Sequence, residues 1–394
     1  MEINYQNLRP DRNSPEPLHM QLKNALVREI RALPPNRQFS LKSERELAQL
    51  LNLCRPTAHR AYAELEKDGL VRRHPDKSLS VCRDARKRLL PPFPTLGLIV
   101  PVKFSQFMRK SVHSVRPYLA GIFDRASELN LSTNIIQLPP EGSDSATVET
   151  FISQMIAPLT GVLHFGMRGS DMDPVLKRVI HYTGVPQILI TAYSALPEVG
   201  DVTEDLLPGL REAIAYLKRR GLTRIGLLNH YESFDPDRPL GEINYMARKR
   251  PYFIEMELAA AGLAPAPEHV LNHCLTEDRL KDFLSELRNR RRLPEVFLCS
   301  NDTVAQTVLR TAAGLGIPPG TFEVIGIDGK LVAGGYAGEF PTIQVPFYEI
   351  GRTAVDLLMK HFHEGICAEN RSIRLPTRFI TGLADAQKGM EVEE

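Results

Sequence analysis

The sequence predicts a small α+β head built as a winged helix-turn-helix, followed by a larger α/β part with two lobes and parallel sheets. Three helical patterns and a short hairpin pattern follow one another between Pro17 and Val81, and apolar β-rich runs alternate with helices from Leu96 onward. Residues 1–92 carry 18 Lys and Arg against 11 Asp and Glu, whereas the remainder carries 31 against 36. A head of net charge +7 on a body of −5 indicates that only the head meets a polyanion.

Length and composition limit the classes of protein that are possible. A chain of 394 residues has room for two or three compact units. The N-terminus from Met1 to Tyr5 lacks the features of a signal peptide, and no apolar run approaches the roughly 20 residues needed to span a bilayer. We therefore expect a cytoplasmic protein with no membrane partner.

The cysteines show neither disulfide nor metal-site spacing. They are scattered, odd in number and without a C-x-x-C pair: Cys54, Cys82, Cys274, Cys299 and Cys367. This usage is typical of reduced thiols in the cytosol. We expect neither a metal nor a cofactor.

The first two helices of the head have clear signals. The first carries an apolar residue every fourth position and ends before Pro34: Leu18, Leu22, Leu26 and Ile30. The second begins at a capping box formed by Ser43 and Glu46. Its predicted buried face consists of Leu47, Leu50 and Leu51.

A third helix is predicted from Arg55 to Lys67, with Gly69 as its stop. Its buried positions follow the i, i+3, i+4, i+7 spacing: Ala58, Ala61, Tyr62 and Leu65. This leaves cationic side chains on the outer face: Arg55, His59 and Arg60. Two strand-like segments, 70–74 and 79–81, then enclose a turn with Lys77 at its tip and form the predicted wing.

This arrangement predicts a DNA-binding surface. Cations on the first turns of the second helix of a helix-turn-helix meet base edges and phosphates in the major groove. Arg55 is the best candidate for a base contact, and Lys77 for a phosphate or the minor groove.

The head resembles the DNA-binding domain of the gluconate-repressor (GntR) family. The matching pieces are Pro17-Leu18, the Ser-Glu-Arg-Glu-Leu-Ala box at 43–48, the segment 54–59, and the Leu-x-x-x-Gly-Leu ending at 65–70. The resemblance implies DNA contact by Arg45, Arg55 and Thr57, and by His59 in the place of the family's second arginine. Arg60 is a candidate to take over phosphate binding from His59.

Cys54 stands where the family has the N-cap serine of the recognition helix, which weakens that cap. A packed thiol and a redox sensor are both open readings of Cys54. His59 could make an ordinary DNA contact or one that depends on pH.

We expect four segments along the chain. The head is residues 1–82, a linker is 83–95, the sensing part is 96–385 and a flexible tail is 386–394. The linker combines a basic cluster with Pro91, Pro92 and Pro94, so an extended, semi-rigid chain is predicted there. Its cations could touch the DNA backbone or form a solvated hinge.

The body shows continuous apolar runs separated by helices, which indicates parallel sheets covered on both faces. The strand-like runs are 96–101, 133–138, 161–165, 187–191, 224–228, 295–299 and 323–327. The clearest helices are 116–129, 206–220, 252–261 and 302–315, the last two ended by Gly262 and Gly316. About 290 residues exceed one doubly wound sheet, so two lobes with a ligand cleft between them are predicted.

The body resembles the type I, periplasmic-binding-protein-like core of lac-repressor (LacI) family regulators. The matching motifs lie at 96–101, 161–163, 184–186, 205, 219–226, 250, 300–302, 324–328, 341–343 and 351. The resemblance implies that Arg250 and Asp302 grip hydroxyls of a sugar, and that the protein is a homodimer. A guanidinium and a carboxylate facing one another suit vicinal hydroxyls.

Further candidates for the cleft follow the predicted strands: Phe104, Phe107, His113, Thr191, Tyr193 and His273. Asp302 could instead be the N-cap of its helix, and Arg250 could instead be a charged residue on the surface. The aromatic residues are equally compatible with core packing. Thr191 stands where the family usually has an acidic residue, so the ligand's identity does not transfer.

The predicted function is a ligand-responsive repressor of carbohydrate-utilisation genes that binds a double-stranded operator. Three alternatives stay open: a sugar receptor for a transporter, a pyridoxal-phosphate enzyme, and a DNA-binding regulator whose cleft no longer responds to an effector. The first requires export. The second requires a Schiff-base lysine with a phosphate cradle, and neither pattern is present.

Overall fold

The computed structural model describes residues 3–12, 16–33, 39–89, 94–100, 112–165, 174–230, 243–274, 276–329 and 340–381. The N-terminal part contains four helices and three short strands, preceded by a 3-10 helix at Tyr5–Leu8. In chain order they are α1 (Leu18–Ala32), β1 (Ser40–Leu41), α2 (Glu44–Leu51), α3 (Arg55–Lys67), β2 (Val71–Arg73), β3 (Leu79–Val81) and α4 (Ala85–Arg88). The strands form an antiparallel sheet in the order β1-β3-β2.

The N-terminal part has a hydrophobic core of its own. Leu22, Leu26 and Ile30 of α1 are buried there, as the four-residue spacing predicts. The prediction for α2 is wrong at Leu50, which is 50% exposed. At about 100° per residue, Leu50 lies beside the buried stripe of Leu47 and Leu51, and Ala48 completes that stripe instead.

The predicted extended linker is also partly wrong. Residues 85–88 form α4, and Ala85 is buried in the core of the N-terminal part. The Arg88 Nε atom lies 2.8 Å from Asp84 Oδ2, an i,i+4 pair that stabilises this turn. A small side chain facing the core makes this helix favourable despite its basic sequence. Residues 90–93, with Pro91 and Pro92, lie outside the described residues.

The first lobe is a six-stranded parallel sheet with helices on both faces. Its elements are β4 (Thr95–Val100), α5 (Val112–Glu128), β5 (Ser132–Gln137), α6 (Ser145–Phe151), a π-helical turn (Ile152–Ile156), β6 (Gly161–Phe165), α7 (Pro174–Ile180), β7 (Gln187–Ile190), β8 (Ala192–Ser194) and β9 (Val199–Asp205). The strand order is β16-β9-β7-β6-β4-β5, where β16 (Ser372–Pro376) comes from the end of the chain.

The second lobe repeats this plan. Its elements are α8 (Leu207–Arg219), β10 (Ile225–Leu228), β11 (Ile243–Tyr245), α9 (Met246–Ala260), β12 (Val270–Leu271), α10 (Glu277–Asn289), β13 (Val296–Cys299), α11 (Asp302–Gly314), β14 (Glu323–Asp328) and β15 (Thr342–Gln344). The sheet order is β12-β10-β13-β14-β15-β17, with β17 (Arg378–Ile380) as an antiparallel edge strand. Both lobes thus have the predicted parallel sheets, to which β17 adds one antiparallel edge strand.

Within the described residues, the chain passes between the lobes three times: from β9 to α8, from β15 to α12 (Phe347–Glu364), and from β16 to β17. Helix α12 returns to the first lobe and packs on α5. The two helices approach closely at Gly121, where a Cβ would lie 2.1 Å from the Tyr348 carbonyl oxygen. Because the strands of both sheets other than β17 are parallel, their carboxyl ends form the edges at which open α/β sheets bind ligands.

Gly262 and Gly316 were predicted as helix stops. Both have positive φ angles, +74° and +65°, directly after α9 and α11. Helix α9 begins at Met246, six residues before the predicted start, and so includes Arg250.

Candidate functional site

The N-terminal part presents a cluster of cations at the start of α3. Arg55 is 73% exposed, and its Nε atom lies 3.5 Å from Oε2 of Glu44. The other carboxylate oxygen of Glu44 lies 3.0 Å from His59 Nδ1 and 3.1 Å from Arg73 Nη2. Glu44 is only 12% exposed, so one inward-lying carboxylate of α2 contacts two guanidinium groups and the His59 imidazole around α3.

Glu44 is not among the predicted site residues. Burial raises the pKa of its carboxyl, but the hydrogen bonds and charges of His59 and Arg73 more than offset this and lower it below the usual value. The sequence signal for Glu44 is its place at the first position of a capped helix. A negative charge there interacts favourably with the helix dipole.

The start of α3 is weakly capped, as the sequence predicts. Cys54 is the N-cap residue and makes no side-chain capping hydrogen bond. Its Sγ atom instead lies 3.0 Å from the Thr57 hydroxyl, and this hydrogen bond lowers the pKa of the thiol. Thr57 is half-buried, whereas Arg45 on α2 and Arg60 on α3 are exposed.

The hairpin between β2 and β3 carries Lys77 at its tip. Lys77 is exposed, with a left-handed φ of +68°. The turn closes through a 2.9 Å bond from Lys77 N to the His74 carbonyl, and Asp76 Oδ1 accepts from Ser78 N at 2.9 Å. The turn thus holds a lysine where glycine is favoured, and it projects that lysine outward.

In the body, Arg250 lies at the junction of the two lobes and is buried. Its Nη2 atom lies 2.8 Å from Glu204 Oε1, at the end of β9 in the first lobe. Its Nη1 atom lies 2.8 Å from Asp328 Oδ1, at the end of β14 in the second lobe, and 3.2 Å from the Ser300 carbonyl oxygen. The alternative reading of Arg250 as a surface charge is therefore wrong.

Burial lowers the pKa of the Arg250 guanidinium, but the charges of Asp328 and Glu204 more than offset it and raise it above its usual value. Glu204 and Asp328 are site residues that sequence reasoning missed. The sequence signal for Asp328 is its place at the end of an apolar strand. The structure adds that its φ is +127°, which is unusual for a residue other than glycine. Glu204 lies among the buried residues of β9, a strand that the apolar pattern does not reveal.

Asp302 lies in the second lobe, at the first turn of α11, and is buried. The Thr342 hydroxyl donates to its Oδ1 at 2.7 Å. Asp302 is not the N-cap of α11, because Asn301 accepts from Val304 N at 2.9 Å and fills that position. The partners of Arg250 in this structure are Glu204 and Asp328 rather than Asp302.

Thr191 joins β7 to β8 with a φ of +65°, a conformation that is strained for a β-branched residue. Two backbone hydrogen bonds hold it, from Thr191 N to Val202 O at 3.1 Å and from Met246 N to Thr191 O at 3.0 Å. The second bond links the first lobe to the start of α9.

Tyr193 of β8 lies between two cations. Lys249 Nζ and Arg374 Cζ are each 4.3 Å from its ring centroid, and its hydroxyl donates to Met246 Sδ at 2.8 Å. Burial raises the pKa of Tyr193 to about 12. Tyr193 therefore packs at the lobe junction, between α9 and β16.

A polar rim marks the carboxyl edge of the second sheet. His230 N donates to the Ser300 hydroxyl at 2.8 Å, and Asn229 Nδ2 donates to Asn272 Oδ1 at 3.0 Å. Asn229 Oδ1 is buried with no hydrogen-bond partner among the described residues. His273 lies on this edge and is exposed, with a φ of +54°.

Phe104 and Phe107 lie outside the described residues, and His113 falls at the start of α5 with its side chain undescribed. Within the described ranges no group of three or more acids, histidines or cysteines could hold a metal ion. No helix there is long and apolar enough to cross a membrane.

Residues 214–383 match the family model of the periplasmic binding protein-like domain. A stretch of 85 residues is 31% identical to the sucrose operon repressor of Pediococcus pentosaceus, and it covers 21% of this chain and 26% of that protein. The matched stretch thus spans about a quarter of the length of this curated relative.

Two solved structures show the same fold. The Lac repressor dimer bound to operator and the anti-inducer ONPF has a TM-score of 0.56 at 18% identity, covering 76% of this chain and 96% of that one. The transcriptional regulator CelR in complex with cellobiose has a TM-score of 0.56 at 19% identity, covering 87% and 99%. The body of this chain is therefore a two-lobed, periplasmic-binding-protein-like α/β fold.

Proposed function

We propose that the chain is a DNA-binding transcriptional regulator, and not an enzyme, that represses carbohydrate-utilisation genes and whose affinity for its operator changes when a sugar binds in the cleft between the lobes. The observation that carries the proposal is that one chain combines two features. A helix whose first turns carry exposed cations lies in the N-terminal part, and a two-lobed fold with a polar cleft edge forms the body.

The head is a GntR-type winged helix-turn-helix in this proposal. Support comes from the capping box of α2, the left-handed Asn52 between α2 and α3, and the β2-β3 hairpin with Lys77 at its tip. Arg45, Arg55 and Arg60 are exposed and able to reach DNA. The family model that matches the body begins at residue 214 and does not include the head.

The body senses the ligand in the proposed scheme. The proteins that this chain resembles include a sucrose operon repressor in sequence, and in fold a repressor bound to an operator as a dimer and a regulator bound to cellobiose. By analogy, this chain acts in the cytoplasm as a homodimer that presents two heads to the half-sites of an operator. Residues 1–82 form the head, 83–95 the linker and 96–385 the sensor.

The carboxyl edge of the second sheet supports a polar ligand. Arg250, Asp302 and Asp328 are buried charged groups of this lobe. Asn229 is buried too, its Oδ1 has no hydrogen-bond partner among the described residues, and it follows β10, which pairs with β13 just before Ser300. Buried polar groups of this kind discriminate strongly among ligands, because a ligand lacking the matching hydroxyl leaves them unpaired. A sugar supplies both donors and acceptors.

The test begins with the full chain and a random pool of duplex DNA, from which bound sequences are selected through repeated rounds. Fluorescence anisotropy of the selected duplex should then show affinity that falls linearly with salt on logarithmic axes. Arg60→Ala should reduce that slope by about one, because one phosphate contact is lost.

Lys67→Ala is the matched control, since it removes the same charge at the other end of α3. Its salt slope should equal that of the unmodified chain. A carbohydrate panel, screened by thermal shift and then added to the DNA complex, tests the sensor. The proposal fails if no duplex is enriched, and its sensing part fails if no sugar changes either stability or DNA affinity.

A further inference from the structure

The start of helix α9 is fastened to both lobes of the body. Strand β11, which leads directly into α9, pairs antiparallel with β8 of the first lobe, with Asn244 opposite Tyr193. Met246 N then donates to Thr191 O of the first lobe at 3.0 Å. One turn later, the Arg250 side chain bonds to Glu204 of the first lobe and Asp328 of the second. We call β8, β11 and the Glu204–Arg250–Asp328 triad the interlobe clasp.

The clasp uses most of the hydrogen-bonding capacity of Arg250. A guanidinium has five N–H donors. Arg250 Nε and Nη2 donate to Glu204 Oε1 at 3.2 and 2.8 Å, and Nη1 donates to the Ser300 carbonyl and to Asp328 Oδ1. A ligand that needs both the Nε and Nη2 donors can obtain them only when Glu204 moves away.

Arg250 has an ionic partner besides Glu204, namely Asp328. The side chains of Arg250, Glu204 and Asp328 are only 9%, 2% and 7% exposed, so water screens them little. Two carboxylates on one guanidinium leave one negative charge in excess. Without Glu204, Arg250 and Asp328 would still form a balanced pair, both from the second lobe.

We propose that Glu204 is an internal stand-in for the effector. Its carboxylate occupies the Nε and Nη2 side of Arg250 and joins the lobes, and an effector oxygen binds by replacing it. Glu204 is thereby a specificity-determining residue, because an effector must present an acceptor that competes with a carboxylate. This inference rests on the proposed function for the effector, but its test requires neither DNA nor sugar.

The test is hydrogen–deuterium exchange on the full chain, read by mass spectrometry, for Glu204→Gln and Glu204→Ala. Loss of the charged contact should loosen the clasp, so amides of 192–194 and 243–245 should exchange at least about tenfold faster. Amides of β4, β6 and β13 should keep their rates. Glu323→Gln is the control, because its ion pair with Arg220 lies at the opposite end of β14.

Chemical rescue separates a specific stand-in from general destabilisation. Glu204→Ala leaves a space beside Arg250 that acetate can fill, so acetate should slow exchange in the clasp relative to chloride at the same ionic strength. Glu204→Gln fills that space and should not respond. Unchanged exchange in the clasp, faster exchange over the whole chain, or no acetate effect in Glu204→Ala would each overturn the inference.

Failure of the two proposals can be told apart. A head that binds no duplex removes the regulatory function and leaves the exchange result unaffected. Conversely, sugar-dependent DNA binding with an unresponsive clasp removes only the role of Glu204. If both hold, Glu204→Gln should bind the identified sugar more tightly than the parent chain, since the competing carboxylate charge is absent.

Discussion

The carboxylate of Glu44 contacts several of the side chains proposed to lie near DNA. Glu44 contacts Arg55, His59 and Arg73 beneath the exposed face of α3, and it restrains their side chains without covering them. A restrained arginine loses less conformational freedom when it meets a base edge, since the order is already present. Glu44 is therefore a candidate positioning residue for the proposed DNA contacts.

Arg55 gives the prediction at the residue scale. Arg55→Ala should weaken binding to a selected duplex by about 1 to 3 kcal/mol and relax the choice of base at one position. Competition between duplexes that differ at single positions measures both effects. Equal weakening for every sequence would contradict the assignment and mark Arg55 as a phosphate contact instead.

Among the packed elements, helix α5 of the first lobe and helix α12, which comes more than 200 positions later in the chain, form a close pair. The helix backbones are close at Gly121 and Gly351, and an ion-pair network runs along their exposed side. Glu128 of α5 receives Arg352 of α12 through two bonds of 2.7 and 2.9 Å, and Arg125 Nη1 through a third of 2.7 Å. The hydrogen bonds from Arg352 and Arg125 lower the pKa of Glu128 to about 2.

Glu128 predicts a pH dependence of stability. A carboxyl whose pKa is lower in the folded chain stabilises it above the unfolded pKa of 4.5, and that contribution disappears as pH falls toward about 2. Glu128→Gln should therefore lower the melting temperature at neutral pH, and the difference from the parent chain should shrink below about pH 5. Melting curves over this range measure it.

The control for Glu128 is Glu286→Gln. Glu286 pairs with Arg290 on the exposed surface of α10, within a single helix, so its loss should change stability little. A difference between Glu128→Gln and the parent chain that stayed constant from neutral to acidic pH would rule out the ion pair as its cause.

At the scale of the whole molecule, the lobes are joined by three chain crossings and by the clasp around Arg250. The crossings are covalent connections about which the lobes can hinge. The clasp consists of non-covalent contacts, which can break when the lobes move apart. The energetic balance of this junction depends on charges that lie far apart in sequence.

Arg250→Ala should be strongly destabilising, because Glu204 and Asp328 would be left as buried carboxylates without their cation. The expected loss is about 3 to 5 kcal/mol, measured by urea unfolding. Adding Glu204→Gln to Arg250→Ala should recover part of the lost stability, because it removes one of the two buried carboxylates left without a cation.

The comparison variant for Arg250 is Arg211→Ala, which breaks an exposed pair with Glu257. Its loss should stay below about 1 kcal/mol. Similar losses for Arg250→Ala and Arg211→Ala would show that the triad does not contribute to stability.

Local sequence patterns predicted the elements that depend on local rules. Helix α3 spans Arg55–Lys67 as its spacing and Gly69 indicate, and β6 spans the predicted Gly161–Phe165. The short helix α4 was missed because its stability depends on burying Ala85 in a core built by other elements. Strand β9 was missed because its buried Asp201 and Glu204 resemble surface residues.

The order of the elements, the basic character of the N-terminal part and the α/β alternation of the two lobes are all legible in the amino-acid sequence, because periodicity and turn residues act over a few positions. Which charges meet depends instead on the folded chain. Arg250 pairs with Glu204, 46 positions earlier, and with Asp328, 78 positions later. Such pairs form because folding brings strand ends together and excludes water, and no local pattern encodes that proximity.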